Sequence, residues 1–358
     1  MFEKYDPREG KRLQLMDEKG KFTPNGSPIL NDDELLDAFK KMLYARVADE
    51  MAVSYQRQGR LLTYPPLKGQ EANQVGAVLA LKKTDWIVPT FREHAAWATR
   101  GVPLYNLLLY TYGNEEGMNV GKDFRILPVS IPIASQTLHA VGIAYAMRYK
   151  KEDSIVLTYV GDGGTSQGDF NEALNFAGVW NVPVIIYIQN NQFAISVPRF
   201  KQTAAKTLAE RAFGFGVEGV QIDGNDIQAV YQAVKLAADK ARSGGGPTLI
   251  EGFTYRLGAH TTSDDPTKYR SDEEVKQWEL RDPILRLKLY LISKKKITED
   301  DISKMTEQFK KEVDEIFRKV ESSKDPTPED IFKYHYKEMP YELKRQLNEY
   351  KTYLEEGK

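Results

Sequence analysis

Cysteine is absent from the 358 residues, so disulfide frameworks, thiolate zinc sites, iron–sulfur clusters and cysteine nucleophiles are excluded together. Histidine is scarce, at four residues, which confines any imidazole chemistry to a few positions. Neither sign of charge is in surplus: 50 Lys+Arg stand against 51 Asp+Glu, which argues against general nucleic-acid binding through a basic face. Long apolar runs are lacking as well. The cleanest, Val182 to Ile188, is far too short to span a bilayer. The first ten residues mix charges around no apolar core, so no signal peptide is expected. The expectation is a cytoplasmic protein that uses neither membrane nor nucleic acid. Apolar side chains are plentiful: hydrophobic residues make up 41% and aromatics 11%, enough for a large folded core.

Residues 1–30 are polar and rich in Lys, Gly and Pro, and read as an extended arm, with order beginning at Asn31. Asn31 followed by Glu34 matches a capping box. Behind it Leu35, Phe39, Met42, Leu43 and Val47 recur at helical spacing, predicting a helix to about Gln58, which Gly59 stops. Further helices are expected over 71–81, 104–112 and 136–149. From Ile155 the pattern becomes alternating strand and helix: a strand over 155–160, a helix over 170–179, strands over 182–188 and 217–222, a helix from Ile227, and a strand over 248–253. That alternation predicts an α/β domain over 31–270, a mostly parallel sheet with helices on both faces. A charged, helical extension is expected over 271–358.

Two motifs carry the chemistry. Gly161-Asp162-Gly163 follows one strand and Asn190-Asn191 follows the next. Parallel strands deliver both to the carboxyl end of the sheet, where α/β folds bind ligands. Together they offer a carboxylate, an amide oxygen and glycine backbone. Such hard oxygens suit Mg²⁺, and Gly163 and Gly164 let the backbone approach a phosphate at the start of the next helix. Gly-Asp-Gly alone is more often an ordinary turn; the pairing gives it meaning. A dinucleotide fingerprint fails because Ser166 stands where its third glycine is needed, and no GxxxxGK[ST] occurs.

The spacing of the pair resembles the thiamine-diphosphate motif. Gly161 to Phe170, Gln189 to Ser196 and Tyr255 to Asp265 resemble the α subunit of the thiamine-dependent 2-oxo acid dehydrogenases, from about residue 30 to the C-terminus. The resemblance implies thiamine diphosphate and Mg²⁺ as cofactors. It gives Asp162 and Asn191 as side-chain metal ligands, Phe193 as a carbonyl ligand, and Gly163 and Gly164 as diphosphate contacts. Phe91-Arg92 stands where the family has Tyr-Arg, so Arg92 keeps the diphosphate contact while Phe91 lacks a hydroxyl. Ile131 would meet the aminopyrimidine by backbone and Ile133 would keep the cofactor bent. Ser130, Pro132, Ser135 and Gln136 fall where branched-chain relatives bind K⁺. His260 is given the catalytic role: holding diphosphate and assisting acyl transfer to lipoyl groups. His94 is read as either lining the channel mouth or packing, and His139 and His335 as structural.

The resemblance also implies partners. They are a β subunit in an α2β2 heterotetramer, which would bring the glutamate that activates the cofactor, and a lipoylated acyltransferase. The C-terminal helices and the first long helix are the expected contacts between chains. Pyruvate is the expected 2-oxo acid, with branched-chain 2-oxo acids or acetoin chemistry as alternatives. A non-catalytic scaffold subunit is the rival from another class, and the joint presence of Arg92, Asp162, Asn191 and His260 weighs against it.

Overall fold

The computed structural model describes residues 3–324 and 326–357; Met1, Phe2 and Lys358, at the outer ends of the expected arm and extension, lie outside them. In chain order the main elements are β1 (Arg12–Leu13), α1 (Asp32–Arg57), α2 (Glu71–Leu79), β2 (Trp86–Val88), α3 (His94–Arg100), α4 (Leu104–Tyr112), α5 (Ser135–Lys150) and β3 (Val156–Gly161). Then come α6 (Gly168–Trp180), β4 (Val184–Asn190), the short pair β5 (Phe193–Ala194) and β6 (Val197–Pro198), β7 (Glu218–Asp223), α7 (Ile227–Arg242) and β8 (Thr248–Phe253). The chain closes with α8 (Asp272–Glu279), α9 (Pro283–Ser293), α10 (Glu299–Glu321), α11 (Pro328–Phe332) and α12 (Tyr341–Glu355).

Six strands form one parallel sheet in the order β1-β7-β8-β4-β3-β2. Every residue of β4 is buried. Its side chains alternate between two cores, because successive strand residues point to opposite faces. Ile185 and Tyr187 join Val230 and Ala233 of α7 on one face, while Val184, Ile186 and Ile188 join Ala140 of α5 and Leu174 of α6 on the other. The expected layering, helices on both faces of a parallel sheet, is what forms.

The capping box closes α1: Glu34 Oε2 accepts from Asn31 N at 2.8 Å, and Asn31 Oδ1 accepts from Glu34 N at 3.0 Å. Residues 3–30 are more than an arm. Leu13, Leu15 and Met16 are buried, and β1 pairs with β7. Asp226 Oδ2 accepts from the backbone N–H of Leu15 at 2.6 Å and of Met16 at 2.7 Å. The helices after 271 are partly built into the body as well. Leu287 and Leu291 of α9 share a core with Phe39 and Met42 of α1, and Phe317 of α10 stacks on Tyr55 of α1 with ring centroids 3.9 Å apart. Truncating a buried aromatic such as Phe317 to Ala costs about 3–5 kcal/mol. Among the described residues no helix is long and apolar enough to cross a membrane.

Candidate active site

The register of β3 on β4 sets Gly161 opposite Gln189, and β4 on β8 sets Asn190 opposite Phe253. Asp162, Asn191 and the segment after Phe253 therefore emerge together at the carboxyl edge of the sheet. They border a cavity of about 1100 Å³. Its walls hold Phe91, Arg92, His94, Ser130, Ile131, Ile133, Gln136, Asp162, Gly163, Gly164, Asn191, Phe193, Arg256 and His260, and Leu107, Tyr110 and Glu115 also border it.

Three oxygens converge at the end of β4. The Asn191 amide oxygen lies 3.1 Å from the Phe193 carbonyl oxygen and 3.3 Å from Asp162 Oδ1. With no proton between them such oxygens repel, unless a cation sits among them or the amide turns over. The Asn191 NH₂ donates to Gln70 Oε1 at 3.0 Å; with the amide turned over, it would instead donate to the Phe193 carbonyl and to Asp162. Asp162 is buried, and burial pushes its carboxyl up to about 6, opposed by Gln202 Nε2 donating to Oδ2 at 2.7 Å. One carboxylate, one amide oxygen and one carbonyl make an incomplete hard-oxygen shell of the kind Mg²⁺ takes, with water and phosphate supplying the rest.

The turn beside these oxygens has room for backbone only. A Cβ on Gly163 would lie 2.5 Å from Ala194 Cβ, and one on Gly164 would lie 2.6 Å from Val160 Cγ2. Facing the turn are two buried guanidinium groups, and among the described residues neither makes an ion pair. Arg92 donates to the carbonyls of Pro66 at 2.5 Å and His260 at 2.9 Å. Arg256 donates to Ile195 O at 2.7 Å and to Tyr269 Oη at 2.8 Å. Burial and the neighbouring Arg256 pull Arg92 down to about 10, which still leaves it cationic at neutral pH. The site has stored positive charge that calls for an anion.

His260 lies against this pair. Burial, then Arg92 and Arg256, pull its imidazole down to about 4, so it is neutral at physiological pH. Asp264 Oδ2 accepts from the backbone N–H of His260 at 2.7 Å and from the Tyr269 hydroxyl at 2.5 Å, tying the loop down. Phe91 sets its ring edge-on to His260 with centroids 6.2 Å apart.

Ile131 and Ile133 are 56% and 49% exposed, an apolar surface beside the glycine turn. Behind them Ser130 Oγ and Ser135 Oγ lie 3.0 Å apart, Ser135 Oγ donates to Pro132 O at 2.9 Å, and Gln136 Oε1 is buried with no hydrogen-bond partner. His94 is buried and bonded to Tyr64, and it also borders the cavity. His139 is exposed on α5 and His335 lies on the C-terminal segment; neither borders the cavity. The sequence reading missed Gln202, which reaches Asp162 across 40 residues with no local signal. It also missed Gln70 and gave Arg256 no role of its own.

Residues 39–329 match the sequence profile of the family described as dehydrogenase E1 component. The pyruvate dehydrogenase E1 component subunit alpha of Acholeplasma laidlawii is 46% identical over 330 residues, covering 92% of this chain and 96% of its own. The subunits of the same name from Staphylococcus aureus (strain Mu50) and Bacillus subtilis (strain 168) are each 39% identical, covering 95% and 94% of this chain and 92% of their own. With the acid–amide pair at the ends of β3 and β4 and a match over most of its length, this chain belongs to the dehydrogenase E1 component family.

Proposed function

We propose that this chain is the α subunit of a pyruvate dehydrogenase, holding thiamine diphosphate and Mg²⁺ in the cavity at the carboxyl edge of the sheet. The convergence of Asp162, Asn191 and the Phe193 carbonyl beside two unpaired guanidinium groups carries the reading. Asp162, Asn191 and Phe193 O hold the metal. The N–H groups of Gly163 and Gly164 take phosphate oxygens, which the absent Cβ atoms let approach. Arg92 and Arg256 balance the diphosphate charge, and His260 meets it with a neutral ring. Ile131 and Ile133 bear on the aminopyrimidine side. The unpartnered Gln136 oxygen, with Ser130, Ser135 and Pro132, makes the K⁺ position. When bound, the cofactor supplies the carbon nucleophile and the electron sink that decarboxylation of a 2-oxo acid needs.

The chain works with a partner. Among the described residues, the carboxylates bordering the cavity are Glu93, Glu115 and Asp162. Glu93 is occupied by Thr90 and Gln189, and Glu71 is paired with Arg46 at 2.5 Å. A β subunit bringing the activating glutamate completes the site, and a lipoylated acyltransferase receives the acyl group. The first long helix is a poor contact element, since its apolar residues are spent on α2, α9 and α10. The better surface is α5 with α6, where Tyr145, Tyr149, Phe176, Val179 and Trp180 are exposed.

The test has two parts. Calorimetry of thiamine diphosphate in Mg²⁺, repeated with chelator, should show binding that the chelator abolishes. Decarboxylation of pyruvate should require co-purified β subunit and exceed that of branched-chain 2-oxo acids; substantial turnover by the chain alone would overturn the partner assignment.

A further inference from the structure

A buried hydrogen-bonded chain runs from α1 to the cavity wall. Asp49 Oδ1 accepts from the Tyr64 hydroxyl at 2.9 Å, and the same hydroxyl lies 2.9 Å from Nδ1 of His94. Backbone N–H groups hold both oxygens of the carboxylate: Leu67 N donates to Oδ1, alongside Tyr64, at 2.8 Å and Lys68 N to Oδ2 at 3.1 Å. All three side chains are buried. Tyr64 owns one proton and stands between two acceptors. If it donates to Asp49, His94 must carry its proton on Nδ1. If Asp49 is protonated and donates to Tyr64, the tyrosine donates to Nδ1 and the His94 proton moves to Nε2. With Nδ1 committed to Tyr64, Nε2 is the nitrogen left for the cavity that His94 borders.

We propose that Asp49 is a positioning residue that sets, through Tyr64, which ring nitrogen of His94 carries the proton, so that Nε2 is an acceptor when Asp49 is ionised and a donor when it is neutral. The donor state suits an anionic group, a carboxylate or phosphate oxygen; the acceptor state suits an N–H or O–H.

The switch lies in a useful pH range. Burial pushes Asp49 up to about 7, helped by buried Glu71 on α2 and opposed by the backbone and Tyr64 hydrogen bonds and by Arg46 on its own helix. Arg46 is itself shared between Glu71 and Asp282. Burial and Arg92 pull His94 down to about 3, with the Phe91 carbonyl opposing, so the ring stays neutral while its proton moves. The wall from α4 brings only Leu104, Leu107 and Leu108.

With four histidines in the chain, ¹⁵N-histidine labelling resolves the tautomer directly, and His94→Gln assigns the signal. The expected result is Nδ1–H in mildly alkaline buffer and Nε2–H in mildly acid buffer, with a midpoint near 7, and a tautomer independent of pH in Tyr64→Phe. One unchanging tautomer in the wild type, or a switch that survives in Tyr64→Phe, overturns the proposal. This readout needs no cofactor, so its failure is separate from failure of the pyruvate dehydrogenase reading. On that reading, the assembled enzyme should show a limb near pH 7 in kcat/KM that Tyr64→Phe removes; an unaltered limb in the variant also overturns the proposal.

Discussion

Arg92 and Arg256 reach the same atom: Nη2 of the first lies 3.2 Å and Nη1 of the second 3.4 Å from Nδ1 of His260. Both guanidinium groups only donate, so Nδ1 must accept and the His260 ring proton sits on Nε2. Two buried like charges held by carbonyls, the Tyr269 hydroxyl and one neutral ring repel each other until an anion arrives.

Arg92→Met should therefore leave the melting temperature of the ligand-free protein unchanged or higher. It should also erase the rise that inorganic diphosphate produces in the wild type, a stabilisation of about 2.7 kcal/mol at a hundredfold excess over Kd. Differential scanning fluorimetry with and without diphosphate measures both. A diphosphate-induced rise of wild-type size in the variant would remove Arg92 from the anion site.

Gln202→Ala takes away the donor that orients Asp162, whereas Asp162→Ala takes away the anionic ligand itself. The first should weaken Mg²⁺-dependent binding of thiamine diphosphate by about 10–100-fold, the usual cost of losing a group that orients a metal ligand. The second should abolish it, and Asn191→Ala should fall between wild type and Asp162→Ala. Calorimetric titration ranks the series, and equal affinity in Asp162→Ala and wild type would refute the metal assignment.

Gly164→Ala drives a methyl into Val160 Cγ2, and Gly163→Ala drives one into Ala194 beside the Phe193 carbonyl. Each should destabilise the fold by about 1–3 kcal/mol through overpacking. The second should also displace a carbonyl ligand and weaken cofactor binding beyond its stability cost. Urea melts paired with calorimetry separate the effects; retention of wild-type affinity in Gly163→Ala would contradict the tight cradle.

His94 is neutral in the fold, its pKa drawn from 6.5 to about 3 by burial. As pH falls below 6.5 the unfolded chain takes up a proton that the folded chain refuses. Its stabilisation is thus complete above pH 6.5 and is lost as pH falls toward 3, by at most about 1.4 kcal/mol per pH unit. His94→Gln should flatten that acid limb in urea titrations at pH 7, 6, 5 and 4. Parallel curves for variant and wild type would show that His94 gains its proton without unfolding.

Much of this could be read from the chain. The βαβ unit from Val156 to Asn190 announced itself because a strand buried on both faces is a continuous apolar run and its ends are marked by glycine and asparagine. What stayed hidden depends on distant partners. Leu13 and Leu15 look like stray apolar residues in a polar arm until β7 and Asp226 receive them. Helix α3, with Ala95-Ala96-Trp97 packed all round, offers no amphipathic period to detect. Asp49 reads as one more polar residue of α1, and only the fold shows that its carboxylate holds Leu67, Lys68 and Tyr64.

The pairing of β1 with β7 also bears on how the molecule is made. The contact from Leu15 to Asp226 closes a separation of 211 residues. Residues 12–16 must wait for some two hundred more residues before their edge of the sheet exists, and contacts of such reach are slow to form. Until then Leu13, Leu15 and Met16 are a sticky segment, open to other nascent chains. Deletions that remove Arg12 to Met16 should lower soluble yield although they touch no residue of the cavity.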